Sequence, residues 1–273
     1  MKDHQTIDIS AEIGEDFGSH RYARNITMYN IREEDRIVVL DEDLMPYVSS
    51  VHVACGFHAG EPTLIRKVVA SAKKFELQIG AHPGLPDMWG FGNREMTLSD
   101  IELESYVIYQ IGALKGIARS EGTEVRHVKF HGYLYLKGQK NKTHADTLVR
   151  AIKLIDNKLV LVCSPFSAMY SAAREAGIDV AAEGYIDREY NEDGTLVPRS
   201  DTRSLIVKPE VAIKRALRMI TERKVATVNG IDIDIPIDTL CIHSDTPNVL
   251  RILRGLSEAI NLAGYRLSPF NPS

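Results

Sequence analysis

Two neighbouring stretches of the chain each end an apolar run in a turn that carries histidine, a side chain that can exchange protons near neutral pH. His52 and His58 lie in the stretch from Val51 to Glu61, and His82 lies in the stretch from Gln78 to Asp87. Glycine and proline beside these histidines fix the backbone and let a ligand approach it closely. The pattern predicts that these side chains lie at one edge of a sheet.

Polar side chains follow most of the other predicted strands in the same way. In a barrel of parallel strands, the carboxyl ends of the strands form the active-site face. Residues from so many separate strands are hard to explain as solvated surface, so the set predicts an active site. Its members are Asp8, Glu12, Glu15, His52, His58, His82, Asp87, Lys129, His131, Glu183, Asp187, Arg188, His243 and Asp245.

Two kinds of chemistry suit this set. Carboxylates and imidazoles together bind a divalent metal ion that activates water, and without a metal they can act as acid and base in opening an amide. Lys129 or Arg188 would hold a substrate carboxylate or a developing oxyanion. No HxxEH or CxxC signature decides between the two. The candidate metal ligands are Asp8, His52, His58, His82 and His131.

Strand and helix patterns alternate along the chain, and they predict how these residues are positioned. The alternation indicates a parallel sheet with helical crossovers. We expect an α/β fold, a (β/α) barrel of seven or eight mostly parallel strands, as one domain over residues 1–273. Residues 11–18 are predicted as a loop, and an elaborated loop is predicted at about 16–43. Strands are predicted at about 6–10, 48–54, 77–81, 125–130, 159–163, 178–183, 205–207 and 239–243.

Composition excludes several classes of protein. The net charge of −4 and the lack of a basic block argue against a nucleic-acid partner. The three cysteines lie in apolar surroundings, so we expect them to be reduced and mostly buried. The polar stretch Met1 to Thr6 predicts no secretion signal, and no apolar run in the sequence reaches the length of a membrane span. We therefore expect a cytoplasmic chain without a membrane partner, and a homo-oligomer is left open.

Several blocks of the sequence resemble the LamB/YcsF family of prokaryotic 5-oxoprolinase A subunits. The match runs in order over nearly the whole chain. The matching blocks are Asp8 to Glu15, Ala54 to Glu61, Gly80 to Gly92, Val128 to Leu136, Glu183 to Arg199 and Cys241 to Asp245. The chain departs from the family pattern at Ser10, Glu12, His52, Phe130, Leu136 and Ser244.

The resemblance implies a barrel related to the glycoside hydrolase and deacetylase barrels. It also implies a hydrolase that opens a cyclic amide, 5-oxoproline or a related lactam or imide, with ATP and partner subunits B and C. Two departures change the chemistry of the presumed site. Glu12 extends the reach of a carboxylate that is Asp in the family, and His52 replaces a neutral amide with a titratable ligand.

We therefore expect a hydrolase of cyclic amides acting on a small molecule. The alternatives are a metal-dependent, deacetylase-like amidohydrolase and a non-catalytic ligand-binding subunit that retains the fold. The expected catalytic residues are Asp8, Glu12, His58, His82, Lys129 and His131. The expected substrate-binding residues are Glu15, His52, Asp87, Glu183, Arg188, His243 and Asp245.

Overall fold

The computed structural model describes residues 5–15 and 40–271, so the loop predicted at about 16–43 lies almost wholly outside the described residues. Strands and helices alternate over most of the described chain. In order they are β1 (Gln5–Ile13), α1 (Asp41–Leu44), a 3₁₀ turn (Met45–Tyr47), β2 (Ser50–Ala54), α2 (Pro62–Lys74), β3 (Gln78–His82), α3 (Asp100–Ser120), β4 (Val125–Val128), α4 (Gly132–Lys140), α5 (Lys142–Ile155), β5 (Val160–Cys163), α6 (Ala168–Ala176), β6 (Val180–Tyr185), α7 (Pro209–Glu222), β7 (Lys224–Ala226), β8 (Asp232–Asp234), β9 (Thr239–Ile242), α8 (Val249–Leu262) and β10 (Tyr265–Leu267).

Seven parallel strands close into a barrel in the order β1, β2, β3, β4, β5, β6, β9. The barrel closes between β9 and β1, where Asp8 is in register with Thr239 and Ser10 with Cys241. Strand β10 pairs in parallel with the first residues of β1, outside the ring. The predicted barrel of seven or eight mostly parallel strands is confirmed. Because the strands are parallel, their carboxyl ends share one mouth.

Strand β1 shows how the barrel separates apolar from polar side chains. Successive side chains of a strand point to opposite faces. Ile7, Ile9 and Ile13 belong to the apolar core, and the alternate residues Asp8 and Glu12 are buried polar side chains of the barrel interior. The same alternation continues past the predicted end of the strand. The prediction of a loop from residue 11 was therefore wrong for its first three residues, because β1 extends to Ile13.

Two helices begin where the local sequence signals predict. Helix α3 starts after Ser99, whose side chain accepts a hydrogen bond from the amide of Glu102, while the Glu102 side chain accepts one from the amide of Ser99. This is the predicted capping box. Helix α2 starts at Pro62, after Glu61 caps two of its amides. Within residues 5–15 and 40–271, no helix is both long and apolar enough to cross a membrane.

Several short elements were not predicted: helix α1 with the 3₁₀ turn after it, helix α4, the antiparallel hairpin of β7 and β8, and strand β10. Helix α4 begins at Gly132, whose φ of +54° is readily adopted by glycine. An added Cβ there would lie 2.6 Å from the carbonyl oxygen of Gly92, so the loop after β3 packs directly against the start of α4. The strand predicted at 205–207 was wrong, because only an isolated bridge joins Leu205 to Arg188.

Candidate active site at the barrel mouth

A buried ammonium lies at the centre of the polar interior. Lys129 follows strand β4 and is 1% exposed. Its Nζ lies 2.6 Å from Oε1 of Glu183 and 3.0 Å from Oε1 of Glu12. It also lies 3.0 Å from Sγ of Cys241. One cation therefore joins side chains from three strands, β1, β6 and β9.

The ionisation of this centre follows from its contacts. Burial by itself would lower the pKa of Lys129, but Cys241, Glu183 and Glu12 outweigh it and raise that pKa well above its usual value. Burial would raise the pKa of Glu12, but Lys129, His243 and His82 hold it well below its usual value. Glu12 and Lys129 therefore form a charged pair at neutral pH.

Two tyrosines that sequence reasoning did not identify border the ion pair. The hydroxyl of Tyr135 donates to Oε2 of Glu183 at 3.1 Å and accepts a hydrogen bond from the amide of Ser164 at 2.9 Å. Nζ of Lys129 lies 4.8 Å from the ring centre of Tyr185. The only sequence signal for Tyr135 is its place in the block that resembles the family, four residues after His131.

Three predicted histidines converge beside this centre. His82 ends strand β3, His131 follows β4, and His58 lies in the loop after β2; all three are buried. Nδ1 of His82 donates to the carbonyl oxygen of Lys129, and Nε2 of His131 donates to that of Phe91, each at 2.7 Å. The two remaining ring nitrogens, Nε2 of His82 and Nδ1 of His131, lie 3.0 Å apart.

Glu15, which follows strand β1, completes this group. Its Oε1 lies 3.4 Å from Nε2 of His58, 3.5 Å from Nδ1 of His131 and 3.9 Å from Nε2 of His82. The rings of His58 and His131 stack at 3.7 Å with an interplanar angle of 4°. Burial lowers the pKa of both stacked histidines. Glu15, His58, His82 and His131 together offer four ligand atoms that could hold a metal ion.

An aspartate and a histidine form a dyad at the same mouth. Asp187 follows strand β6 and accepts hydrogen bonds from the backbone amide of His243 at 3.1 Å, from its Nδ1 at 3.0 Å and from the hydroxyl of Thr246. Burial would raise the pKa of Asp187, but His243 and Thr246 lower it to about 2. Asp187 therefore holds the proton of His243 on Nδ1, which leaves Nε2 as its basic nitrogen.

Asp8 is not brought to the histidine group. It lies four residues before Glu12 on β1, which corresponds to about 13 Å along a strand. Its carboxylate accepts hydrogen bonds from the hydroxyls of Ser49 at 2.6 Å and Ser50 at 2.8 Å, and from that of Thr239. Burial raises the pKa of Asp8 to about 6, although these hydrogen bonds oppose the increase.

His52 lies inside the barrel beside a histidine that sequence reasoning missed. Nδ1 of His52 is 3.1 Å from Nε2 of His127, and burial lowers the pKa of both, that of His127 to about 3. His127 is two residues before Lys129 on the chain. Side chains two residues apart on a strand point to the same face, so the sequence could have placed His127 beside Lys129. Only Lys129 was named as a candidate site residue.

The remaining predicted residues lie in the loops around the mouth. Asp87 accepts hydrogen bonds from Arg94 and from the amide of Gly90, within its own loop. Arg188 donates to the carbonyl oxygens of Val197 at 2.8 Å and Ser204 at 3.3 Å. Asp245 is half-buried in the loop after β9. The structure thus brings Glu12, Glu15, His52, His58, His82, Lys129, His131, Glu183 and His243 into the polar interior and its mouth.

A separate cleft of about 800 Å³ contains none of the predicted site residues. Residues that precede strands β6 and β9 line it, together with Arg174 and Arg223. It therefore lies at the amino ends of the strands, on the face of the barrel opposite the polar mouth.

The comparisons with known proteins agree with the fold and with the sequence blocks. The profile of the LamB/YcsF family matches residues 7–273. A protein from Pyrococcus furiosus, named as the A subunit of 5-oxoprolinase, is 38% identical over 263 residues, covering 96% of this chain and 97% of its own. A protein of the same name from Thermus thermophilus is 40% identical over 264 residues, covering 97% and 99%.

A solved structure agrees as well. The crystal structure of a lactam utilization protein from Thermus thermophilus superposes with a TM-score of 0.86 at 39% identity, covering 97% of this chain and 100% of that one. A second solved structure, of a protein from Enterococcus faecalis, is 11% identical with a TM-score of 0.53 and shares the fold alone. The profile match and the relatives that extend over nearly the whole chain show that this protein belongs to the LamB/YcsF family.

Proposed function

We propose that this chain hydrolyses the amide bond of a small cyclic amide, 5-oxoproline or a related lactam or imide, as one component of a 5-oxoprolinase-type assembly. One observation carries the proposal. Lys129 contacts Glu183 of strand β6 and Cys241 of strand β9, and the two residues of the Asp187–His243 dyad follow the same two strands at the barrel mouth. The substrate class comes from relatives that are named for 5-oxoprolinase and for lactam utilization.

The dyad supplies the base. Ring opening requires water to attack the amide carbonyl, after which the carbon–nitrogen bond breaks and the ring nitrogen gains a proton. Nε2 of His243 takes the proton from the attacking water and then returns it to the nitrogen. Asp187 is a positioning residue that fixes the tautomer and the direction of this ring.

Lys129 stabilises the negative charge that develops on the carbonyl oxygen. Its three contacts, with Glu12, Glu183 and Cys241, account for the three protons of an ammonium. A thiol is a weak acceptor, so a substrate oxygen would replace Cys241 more readily than either carboxylate. Arg188 is a poorer candidate for this role because two backbone carbonyls already engage its guanidinium.

ATP and the partner subunits B and C belong to this proposal. The described mouth does not fit a triphosphate well, because Glu12 and Glu183 present carboxylates to the Lys129 ammonium and Glu15 adds a third carboxylate beside the histidines. We therefore assign the use of ATP to the partner subunits and the opening of the ring to this chain. A cytoplasmic setting is part of the same proposal, since ATP is available there and all three cysteines are free thiols.

The test measures glutamate released from 5-oxoproline by the purified chain, alone, with ATP, and with ATP and subunits B and C. We expect turnover in the complete mixture and a loss of about 100-fold or more in His243→Gln. The matched control is His144→Gln, a histidine of α5 outside the site. A panel of lactams, imides and linear N-acetyl compounds sets the substrate class.

Two outcomes would overturn the proposal. Turnover of linear amides but of no cyclic amide would indicate the deacetylase-like alternative. Binding of 5-oxoproline without turnover in any mixture, with His243→Gln behaving as the wild type, would indicate a ligand-binding subunit.

A further inference from the structure

The two facing nitrogens of His82 and His131 lie in an arrangement that two neutral imidazoles do not tolerate. Each ring donates its other N–H to a backbone carbonyl at 2.7 Å, so each tautomer is fixed. In their neutral forms, Nε2 of His82 and Nδ1 of His131 are therefore both unprotonated. Their lone pairs face each other at 3.0 Å, and something positive must lie between or beside them.

A metal ion would supply this positive charge, because it binds the neutral form of each imidazole. Both rings are buried, and the His131 ring stacks face to face on that of His58 at 3.7 Å.

The surrounding atoms have the types and separations of a metal site. We propose that Glu15, His58, His82 and His131 bind one divalent transition-metal ion of the Zn²⁺ class. Metal bonds of about 2.0–2.2 Å place the ligand atoms of a tetrahedral ion about 3.3–3.6 Å apart. The separations between the ligand atoms of Glu15 and the three histidines are 3.4, 3.5 and 3.9 Å, and all four atoms lie within 4.8 Å of one another.

The hydrogen bonds of the second ring nitrogens of His82 and His131 support the same assignment. Histidines that bind metals usually donate their second ring N–H to a carboxylate, a backbone carbonyl or water, and this contact orients the ring. His82 and His131 both do so. Two glycines make room for the ring of His58. A Cβ added at Gly84 would lie 2.4 Å from Nδ1 of His58, and one added at Gly92 would lie 2.8 Å from the Cβ of His58.

A second group of potential ligands, His52, Glu183 and Cys241, carries no such proposal. Nζ of Lys129 lies within 3.0 Å of both the Glu183 carboxylate and the Cys241 sulfur, so an ammonium already supplies the positive charge there. The histidine group with Glu15 is therefore the better metal site of the two. When bound, the ion would polarise a carbonyl oxygen or activate a water molecule next to the ring-opening centre.

The test titrates Zn²⁺ into the full-length chain after treatment with a chelator, using calorimetry and metal analysis. We expect one Zn²⁺ per chain, at least tenfold weaker binding in His82→Gln and His131→Gln, and unchanged binding in His144→Gln. Gly84→Ala keeps all four ligands but displaces His58, so it should also weaken binding. Substitution with Co²⁺ should give the visible spectrum of nitrogen and oxygen coordination, with no dependence on turnover.

The proposal is overturned if the folded wild-type chain binds no stoichiometric Zn²⁺, Mn²⁺ or Co²⁺. It is also overturned if His82→Gln and His131→Gln fold, as judged by circular dichroism, and bind Zn²⁺ as tightly as the wild type. If these variants do not fold, Gly84→Ala and the Co²⁺ spectrum of the wild type decide. The metal site goes beyond the proposed ring opening. Either proposal can fail alone, because metal binding is measured without substrate and ring opening is measured by glutamate release.

Discussion

Asp187 and His243 are joined by two hydrogen bonds, one from the backbone amide of His243 and one from its Nδ1. The two residues come from the loops after β6 and β9, strands that are direct neighbours in the barrel. The dyad therefore depends on the pairing of strands β6 and β9 in the barrel. It connects the fold to the chemistry that we propose, and it makes stability sensitive to pH.

The carboxylate of Asp187 should stabilise the fold above pH 4 and lose that effect in acid. Its pKa is about 2 in the folded chain and about 3.9 in an unfolded one, so the folded state favours the ionised form. This contribution, about 2–3 kcal/mol, is present above the unfolded pKa and is lost as the pH falls towards 2. Urea unfolding of the wild type and Asp187→Asn should show a stability difference that shrinks from pH 5 to pH 3. A difference that stays constant over this range would contradict the assignment.

Asp8 should show the opposite dependence. Its folded pKa of about 6 lies above the unfolded value, so the folded state holds the proton more tightly. The resulting stabilisation, up to about 3 kcal/mol, is complete below about pH 4 and is lost as the pH rises through 6. Between pH 4 and pH 7 the wild type should therefore lose stability relative to Asp8→Asn, measured by urea unfolding. Parallel curves for the two proteins would show that folding does not raise the pKa of Asp8.

Removing the buried ammonium should be costly. Lys129→Met leaves the carboxylates of Glu12 and Glu183 without their cation, and breaking a buried pair in this way costs about 3–5 kcal/mol. Lys142→Met is the control, because its ion pairs are at the surface and contribute less than about 1 kcal/mol. Adding Glu183→Gln to Lys129→Met should restore part of the free energy of unfolding. Equal losses for the two lysine variants would refute the buried ion pair.

Two glycine substitutions should change stability in opposite directions. A Cβ at Gly80 would lie 2.1 Å from the ring of His127, so Gly80→Ala should destabilise the barrel by about 1–3 kcal/mol. A Cβ at Gly116, inside helix α3, meets no atom within 4 Å, so Gly116→Ala should stabilise the chain by up to about 1 kcal/mol. Thermal unfolding should separate the two variants clearly. If Gly80→Ala were neutral, His127 would have to lie elsewhere.

Local sequence signals predicted the fold well where they act over a few residues. The capping box of Ser99 and Glu102 starts α3 as expected, and alternation along the chain predicted the parallel barrel. Helix α4 was missed because Tyr and Leu alternate in its first half, which resembles a strand rather than a helix. Its position is set instead by contact between Gly132 and the loop after β3.

The sequence predicted most of the residues that form the candidate site, but not how deep in the barrel each side chain lies. A residue's place just after a predicted strand indicated that His82, His131 and Lys129 would meet. It could not show that Asp8 lies one layer deeper, because that depends on how far β1 extends and on its register with β9. The partners of each side chain, such as Asp187 for His243, depend on which strands are neighbours and are not written in the local sequence.

The most direct test of the account compares two buried aspartates of the same barrel in one assay. Asp187→Asn and Asp8→Asn are each combined with subunits B and C and ATP, and ring opening of 5-oxoproline is measured by glutamate release. We predict that folded Asp187→Asn loses turnover by on the order of 10²–10⁴-fold, because the proton of His243 is no longer held on Nδ1, while Asp8→Asn stays within about threefold of the wild type. Full activity in Asp187→Asn, with activity lost in a folded Asp8→Asn, would contradict the proposed site.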